Sequence, residues 1–149
     1  MRWQPNVTVA AVIERDDKFL LVEENINNVL QLNQPAGHWE YGETLVEAVI
    51  RETLEETAWH FTPSHLIGIY HWQHPSIENT TFLRFTFTGE LLKQAKQQIL
   101  DAGIERTVWM NLQEIKNSVT RHRSPQLLLC VEDYLEGKRY PLDCITVVK

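Results

Sequence analysis

Three glutamates, Glu52, Glu55 and Glu56, stand three and four residues apart within the segment 44–58. If that segment is helical, their side chains share one face within about 6 Å of axial rise. Like charges four residues apart cost a helix roughly 0.2–0.5 kcal/mol, and anions in its last turn cost roughly 0.3–1 kcal/mol each. A divalent cation bound among the carboxylates would turn both of these unfavourable contributions into favourable ones. The pattern indicates a metal site; the alternative is a solvated, glutamate-rich helix face.

The segment 44–58 has the pattern of an amphipathic helix. Thr44 and Glu47 have the spacing of a capping box, which makes Thr44 the expected N-cap residue. Apolar and β-branched residues recur every three or four positions and are expected to form the buried stripe: Val46, Val49, Ile50, Thr53 and Thr57. We therefore expect the glutamates to lie near the C-terminal end of this helix.

Strand patterns surround this helix on both sides along the chain. Short apolar or alternating runs bounded by turn residues predict strands over 7–13, 19–23, 30–32, 66–72, 81–90 and 108–110. A helical turn is predicted over 112–117 and a last helix over 125–135, with Pro125 near its start and Gly137 beyond its end. Strands flanking an interior and a terminal helix predict a mixed sheet with helices on both faces.

Arg84 is a candidate for substrate binding. It alternates with the apolar residues Leu83 and Phe85 in the strand predicted over 81–90, so its side chain points away from them. A guanidinium in that position could clamp a substrate phosphate. The alternative is a solvent-facing sheet surface, and we favour the clamp.

Length and charge limit the possible partners. The chain has 149 residues, which suits a single domain spanning 1–149. Its formal net charge of -6 argues against nucleic-acid polymers and anionic membranes, because both require a basic surface. No apolar run approaches the ~18 residues that span a bilayer. A phosphorylated small molecule fits, provided that a cation mediates its binding.

The two cysteines, Cys130 and Cys144, are too few for a disulfide framework. Cys130 lies in an apolar run and is expected to be a core thiol. This cysteine content, with no secretion signal in the first residues, predicts a cytoplasmic protein. Whether the protein is a monomer or a homodimer stays open.

The stretch from Gly37 to Trp59 resembles the Nudix box. That box is a glycine, five residues, a glutamate (here Glu43), seven residues, then Arg-Glu-apolar-x-Glu-Glu-x-Gly-apolar. All charged positions agree. Thr53 stands at an aliphatic position, and Ala58 replaces the glycine that ends the helix, at a cost of about 1 kcal/mol for a left-handed cap.

Segments outside the box resemble the NudJ-type branch of this family. They lie at 7–10, 34–38, 43–48, 82–85, 123–125 and 139–142, so the likeness covers most of the chain. The resemblance implies an α/β/α sandwich around a mixed β-sheet. It also implies Mg²⁺-dependent hydrolysis, with Mn²⁺ as a possible substitute, of phosphoanhydride bonds in nucleoside di- and triphosphates or in thiamine-type pyrophosphates. The latter are thiamine pyrophosphate and hydroxymethylpyrimidine diphosphate.

The resemblance also implies roles for the box residues. Glu55 and Glu56 are expected to bind the metal, and Glu52 is expected either to bind it or to act as the base that orients the attacking water. Arg51 is expected to position the catalytic carboxylate, and the backbone carbonyl of Ala36 to supply a further ligand. A catalytically silent Nudix module that binds a nucleotide is the alternative. Such a module is expected to lose a box glutamate or the arginine, and all are present here.

Residues outside the box could complete the site. Glu105 is the first candidate for a further carboxylate, with Asp101 second; a solvated loop position is the alternative for Glu105. Trp39 and Tyr41, in the loop beside the expected metal, and Trp72, at the end of a predicted strand, could sandwich a base or pyrimidine ring, or could belong to the core or an interface. His74 and the nearby His71 give a weak zinc pattern, which a strand-and-loop segment without a neighbouring cysteine argues against.

Overall fold

Residues 2–149, which the computed structural model of the chain describes, form strands and helices close to the predicted positions. The strands are β1 (Asn6–Val12), β2 (Glu14–Arg15), β3 (Lys18–Ile26), β4 (Val29–Asn33), β5 (Ala36–His38), β6 (Trp59–Gln73), β7 (Thr81–Gln94), β8 (Ile104–Met110) and β9 (Tyr140–Pro141). The α-helices are α1 (Leu45–Thr57), α2 (Leu112–Asn117) and α3 (Gln126–Leu135), with 3₁₀ turns at Val119–Arg121 and Leu142–Cys144. No helix in the described part is long and apolar enough to cross a membrane.

The strands form two sheets. One has the order β5-β1-β7-β6-β9, in which β1 and β7 run parallel and the other pairs are antiparallel. In the other sheet, β3 pairs antiparallel with β2, β4 and β8. The parallel β1–β7 pair places both strands in the interior, which explains why β1 is apolar on both faces.

Helices α1 and α3 pack on opposite faces of β1. Val9 and Ala11 share a core cluster with Val49 of α1, whereas Val12 shares a second cluster with Leu127 of α3. Successive strand residues point to opposite faces, so a single strand contributes to both clusters. This arrangement confirms the expected α/β class, a mixed sheet with helices on both faces.

The polar face of β7 is buried, contrary to the solvent-facing alternative for Arg84. Arg84 is 3% exposed and Thr86 is fully buried, whereas Leu83 and Phe85 on the other face are only half-buried. The Thr86 hydroxyl lies 3.3 Å from Cys130 Sγ in α3, and Arg84 bonds to residues near the end of β4. A helix that is distant in sequence covers this face, so the local alternation of polar and apolar residues does not reveal it.

Helix α1 begins and ends at the predicted boundaries. Thr44 Oγ1 accepts a hydrogen bond from the Glu47 N–H at 3.0 Å, and Glu47 Oε1 accepts one from the Thr44 N–H at 2.8 Å. At the other end Ala58 adopts the left-handed conformation, with φ 63° and ψ 17°, and its N–H donates to the Leu54 carbonyl. The capping box and the alanine cap thus define the last turn, which carries the glutamates.

The buried stripe of α1 differs from the predicted one. Val49, Thr53 and Thr57 are buried as expected, but Val46 and Ile50 are only half-buried. Two glutamates of the helix take buried positions instead, as described below. The helix therefore turns part of its acidic face toward the protein interior.

A charged cluster links β3 to the segment before α3. Glu23 is 3% exposed and accepts hydrogen bonds from Arg106 and Arg121, while the neighbouring Glu24 accepts one from Arg123. Burial alone would raise the pKa of Glu23, but the two arginines outweigh burial and lower the pKa below its ordinary value of 4.5. The short basic segment Arg121–Arg123 is therefore ion-paired within the fold.

Replacing Ala58 by glycine should stabilise the protein. Glycine adopts the left-handed conformation without the strain of a Cβ, so Ala58→Gly is expected to raise the free energy of unfolding by about 1 kcal/mol. Ala48→Gly, in the interior of the same helix, is the matched control and should lower it by about 1 kcal/mol or more. Chemical denaturation measures both values; a destabilised Ala58→Gly would contradict the left-handed cap.

The Glu23 cluster predicts a pH dependence of stability. Because the pKa of Glu23 is lowered in the folded protein, its ion pairs stabilise the fold fully above pH 4.5 and lose that contribution as the pH falls through the folded pKa. Glu23→Gln should lower the free energy of unfolding at pH 7 by roughly 1–2 kcal/mol, because both arginines are partly solvent-screened. It should also flatten the decline in stability below pH 4.5. Exposed Glu90→Gln is the control, and equal pH profiles for wild type and Glu23→Gln would refute this role.

Candidate active site

A cleft of about 460 Å³ opens between α1, β5, the ends of β3 and β4, and the hairpin that joins β6 to β7. One side of it is acidic and carries Glu24, Glu52 and Glu56. Other parts of the lining include Arg84 and the aromatic ring of Trp72. The cleft thus places carboxylates, a guanidinium and an aromatic surface around one enclosed space.

Gly37 allows the Glu52 carboxylate to pack against the backbone of β5. A Cβ atom on residue 37 would lie 2.1 Å from Cδ of Glu52 and 2.3 Å from each of its carboxylate oxygens. Contacts that short are impossible, so any other residue would displace the Glu52 carboxylate from this position. The glycine therefore keeps Glu52 between the helix and the strand, where the side chain is 7% exposed.

Glu56 occupies a second buried position on the same face. Its Oε1 accepts a hydrogen bond from the Ala36 N–H at 2.8 Å. Burial raises the pKa of Glu56 to about 9; the Ala36 N–H opposes this shift, and the nearby charges of Glu24, Glu52 and Asp101 add to it. Without a positive charge beside it, this carboxylate favours a bound proton.

Arg51 holds the carboxylates around it in place. Its Nε and Nη2 donate to both oxygens of Glu43 at 2.9 and 2.7 Å, and its Nη1 donates to Glu52 at 2.7 Å and to Glu55 at 3.2 Å. Nη2 also donates to the backbone carbonyl of His38. These partners raise the pKa of Arg51, the Glu43 hydrogen bond most strongly, and Arg51 lowers the pKa of Glu43 in return. The fork geometry of a guanidinium suits this multidentate role.

Arg51 only partly offsets the burial of Glu52. Burial raises the pKa of Glu52 to about 7, the ion pair with Arg51 opposes the shift, and the charges of Glu55 and Asp101 reinforce it. One arginine thus serves several carboxylates, and negative charge remains in excess. The cluster would be stabilised by an additional cation.

Asp101 joins the glutamates, and Glu105 does not. Oxygen atoms of Glu52, Glu55 and Asp101 all lie within 4.8 Å of one another. The Asp101 N–H donates to the Glu55 carbonyl at 3.0 Å, which attaches the loop between β7 and β8 to the end of α1. Glu105, the first candidate from the sequence, is exposed and accepts a hydrogen bond from Asn25 Nδ2 at 3.3 Å. The structure therefore places the second candidate at the site.

Arg84 brings a buried positive charge to the cleft. Its Nη1 donates to Gln34 Oε1 and its Nη2 to Asn33 Oδ1, both at 2.9 Å. The Gln34 amide is oriented by its own hydrogen bond to the Leu127 carbonyl. Within residues 2–149 no carboxylate forms an ion pair with Arg84. A buried cation held by neutral amides favours an anionic ligand.

Comparisons with known proteins agree with this geometry. A family model described as the NUDIX domain matches residues 3–129. The chain is 43% identical over 143 residues to phosphatase NudJ of Escherichia coli (strain K12), covering 96% of this chain and 92% of that protein. The chain belongs to the Nudix family. It is therefore a hydrolase of the kind that acts on phosphoanhydrides.

Solved Nudix structures share the fold. A NUDIX hydrolase from Nitrosomonas europaea is 51% identical, with a TM-score of 0.94 over 97% of this chain and 98% of that one. The NUDIX domain of Shewanella oneidensis NrtR, solved in complex with ADP ribose, is 21% identical, with a TM-score of 0.69 over 90% of this chain and 88% of that one. At that identity the second structure shows the common fold alone.

The structure places only some of the predicted Nudix metal-binding and substrate-binding residues in the cleft. Ala36 and Arg84 line the cleft. Trp39 and Tyr41 do not; the Trp39 indole donates to the Glu43 carbonyl at 2.7 Å, and the Tyr41 side chain is fully exposed. Trp72, the third aromatic candidate from the sequence, does line the cleft. Proximity to the box in sequence is therefore a poor guide to which rings face the ligand.

Several residues of this Nudix site were not predicted. Glu24 faces the cleft near Glu56, and Asn33 and Gln34 hold Arg84. The order Asn33-Gln34 before Pro35 is visible in the sequence, but nothing local connects it to a strand fifty residues away. Only the pairing of β1 with both β5 and β7 brings these segments together.

The different positions of Asp101 and Glu105 predict that their substitutions have different effects on metal affinity. Asp101→Asn removes a charged oxygen beside Glu52 and Glu55, so it should weaken Mn²⁺ binding roughly tenfold or more. Glu105→Gln alters a residue outside the cluster and should leave affinity unchanged. Titration of the metal-free protein with Mn²⁺, followed by calorimetry or electron paramagnetic resonance, measures both. A larger loss in Glu105→Gln than in Asp101→Asn would reverse the assignment.

Proposed function

We propose that this protein hydrolyses phosphoanhydride bonds of nucleoside di- and triphosphates or of thiamine-type pyrophosphates, in a reaction that depends on Mg²⁺. The proposal rests on one observation. Glu52 belongs to a carboxylate cluster whose negative charge exceeds that of its one arginine, and it lines the same cleft as Glu56 and the buried Arg84, whose partners are neutral amides. The acidic part suits a metal-bound phosphate, and Arg84 suits a free phosphate oxygen.

The donor set supports a hard divalent cation. The clustered ligand atoms of Glu52, Glu55 and Asp101 are all carboxylate oxygens, the donors that Mg²⁺ and Mn²⁺ favour over the nitrogen and sulfur donors of zinc sites. Glu56 would join them, and the Nudix resemblance adds the Ala36 carbonyl. A bound metal would polarise the phosphoryl group and lower the pKa of a coordinated water.

Arg51 and Arg84 have separate roles in the proposed reaction. Arg51 fixes the Glu52 carboxylate through the 2.7 Å hydrogen bond from Nη1, which leaves Glu52 positioned as a ligand or as the base that orients the attacking water. Arg84 would bind a phosphate oxygen and stabilise charge on the departing phosphate. Its two amide partners orient the guanidinium without neutralising it.

The preference for an enzyme over a silent nucleotide-binding module rests on the intact charged set. Arg51, Glu52, Glu55 and Glu56 are all present, and Arg51 donates hydrogen bonds to both Glu52 and Glu55. A module that only bound nucleotide would gain nothing from a buried carboxylate such as Glu56, which is costly without a cation. The likeness to NudJ-type proteins supports the thiamine-type substrates.

We also place the reaction in the cytoplasm. Both Cys130 and Cys144 are free thiols, which suits a reducing compartment. The substrate would be a phosphorylated small molecule, taken by a monomer or a homodimer.

Removal of one buried carboxylate tests the proposal. Purified protein should release phosphate or pyrophosphate from nucleoside triphosphates or thiamine pyrophosphate with Mg²⁺, and should be inactive in EDTA. Glu56→Gln keeps an acceptor for the Ala36 N–H but loses the charge, so kcat should fall roughly 100-fold or more. The exposed Glu132→Gln in α3 is the matched control. Undiminished activity of Glu56→Gln, or activity in EDTA, would contradict the proposed site.

A further inference from the structure

His74 lies in the loop between β6 and β7 with one ring nitrogen fully engaged. The backbone N–H groups of Ser76 and Ile77 both donate to its Nδ1, at 3.1 Å each. The backbone N–H of His74 donates to the Thr80 carbonyl. A nitrogen that accepts two hydrogen bonds carries no proton. The neutral ring therefore has its proton on Nε2 and can act only as a donor there.

His74 is part of the cleft lining and lies beside two aromatic rings. His74 lines the same cleft as Arg84, and within residues 2–149 no acceptor pairs with its Nε2. Its ring centroid is 5.1 Å from that of Trp72, which in turn stacks with Phe82 at 5.6 Å and an interplanar angle of 29°. A directed N–H donor therefore stands beside a flat aromatic surface, which is the combination that recognises a heterocycle.

The loop is held in this conformation from outside the cleft. The Trp3 indole donates to the Asn79 carbonyl at 2.8 Å, and Asn79 adopts a left-handed φ of 55°. Together with the two N–H groups on Nδ1, this contact orders the hairpin before any ligand arrives. A donor on an ordered loop binds with little additional entropic cost.

We propose that His74 is a specificity-determining residue, whose Nε2–H donates to a carbonyl oxygen or ring nitrogen of a heterocycle packed against Trp72 and Phe82. The inference rests on the proposed hydrolysis and narrows its substrates to phosphoanhydrides that carry such a ring. The phosphates extend from the ring toward Arg84 and the carboxylates. Polyphosphates without a ring make no use of His74.

A purely structural role for His74, as a cap for the loop, is separable by substitution. In His74→Asn the side-chain oxygen replaces Nδ1 as acceptor for the backbone N–H groups, in the manner of an Asx turn, and the Nε2 donor is lost. His74→Ala loses both functions. His71→Asn is the matched control, because His71 is exposed on the adjoining strand β6 and does not line the cleft.

The test compares substrates with and without a ring. Steady-state kinetics with Mg²⁺ are measured for cytidine, adenosine and thiamine phosphoanhydrides and for inorganic tripolyphosphate. His74→Asn should raise KM for at least one ring-bearing substrate roughly three- to tenfold, the loss of one neutral hydrogen bond. Its kcat, its kinetics with tripolyphosphate and the behaviour of His71→Asn should stay unchanged.

Two outcomes would overturn the inference. Equal loss with tripolyphosphate would show that His74 only supports the loop, and no change with any ring-bearing substrate would show that Nε2 makes no contact. Binding of cytidine and adenosine diphosphates, followed by tryptophan fluorescence in EDTA, separates this inference from the proposed function. A wild type without hydrolysis refutes that function, while weaker nucleotide binding by His74→Asn than by wild type still supports the role of His74. Equal nucleotide affinities of His74→Asn and wild type would reject the proposed role of His74.

Discussion

The site depends on two like-charged carboxylates, Glu52 and Glu56, that are buried between a helix and a strand. Burial of negative charge is unfavourable unless something compensates for it. Gly37 makes the close approach of Glu52 possible, Arg51 neutralises part of the charge, and the Ala36 N–H bonds to Glu56. The pKa of each buried carboxylate nevertheless stays raised. The fold thus holds an unfavourable arrangement of charges that a bound divalent cation would relieve.

The two arginines of the site, Arg51 and Arg84, have different partners and therefore different roles. Arg51 is surrounded by carboxylates and serves to order them, whereas Arg84 is held by the neutral amides of Asn33 and Gln34 and forms no ion pair with a carboxylate of residues 2–149. A polyphosphate bound through a metal at one end can then contact a guanidinium at the other. Under the proposed function, this local arrangement would let a protein with a net charge of -6 bind an anion.

Features determined by local interactions could be predicted from the sequence, and those determined by long-range packing could not. The start of α1 follows from Thr44 and its capping partner, which are three residues apart. The burial of Arg84 depends on a helix more than forty residues later, so its strand pattern suggested exposure as an alternative. The approach of Asp101 to the glutamates depends on how one loop closes over α1. Strands β2, β5 and β9 have only two or three residues, too few to show a period.

Anomalous diffraction from crystals soaked in Mn²⁺ would test the central claim most directly. The account predicts a strong anomalous peak within coordination distance, about 2.0–2.3 Å, of carboxylate oxygens of Glu52 and at least one further member of the group Glu55, Glu56 and Asp101. The peak should disappear in Glu52→Gln crystals soaked in the same way. Mn²⁺ bound only at other positions, with Glu52 and Glu56 left without a cation, would contradict the account.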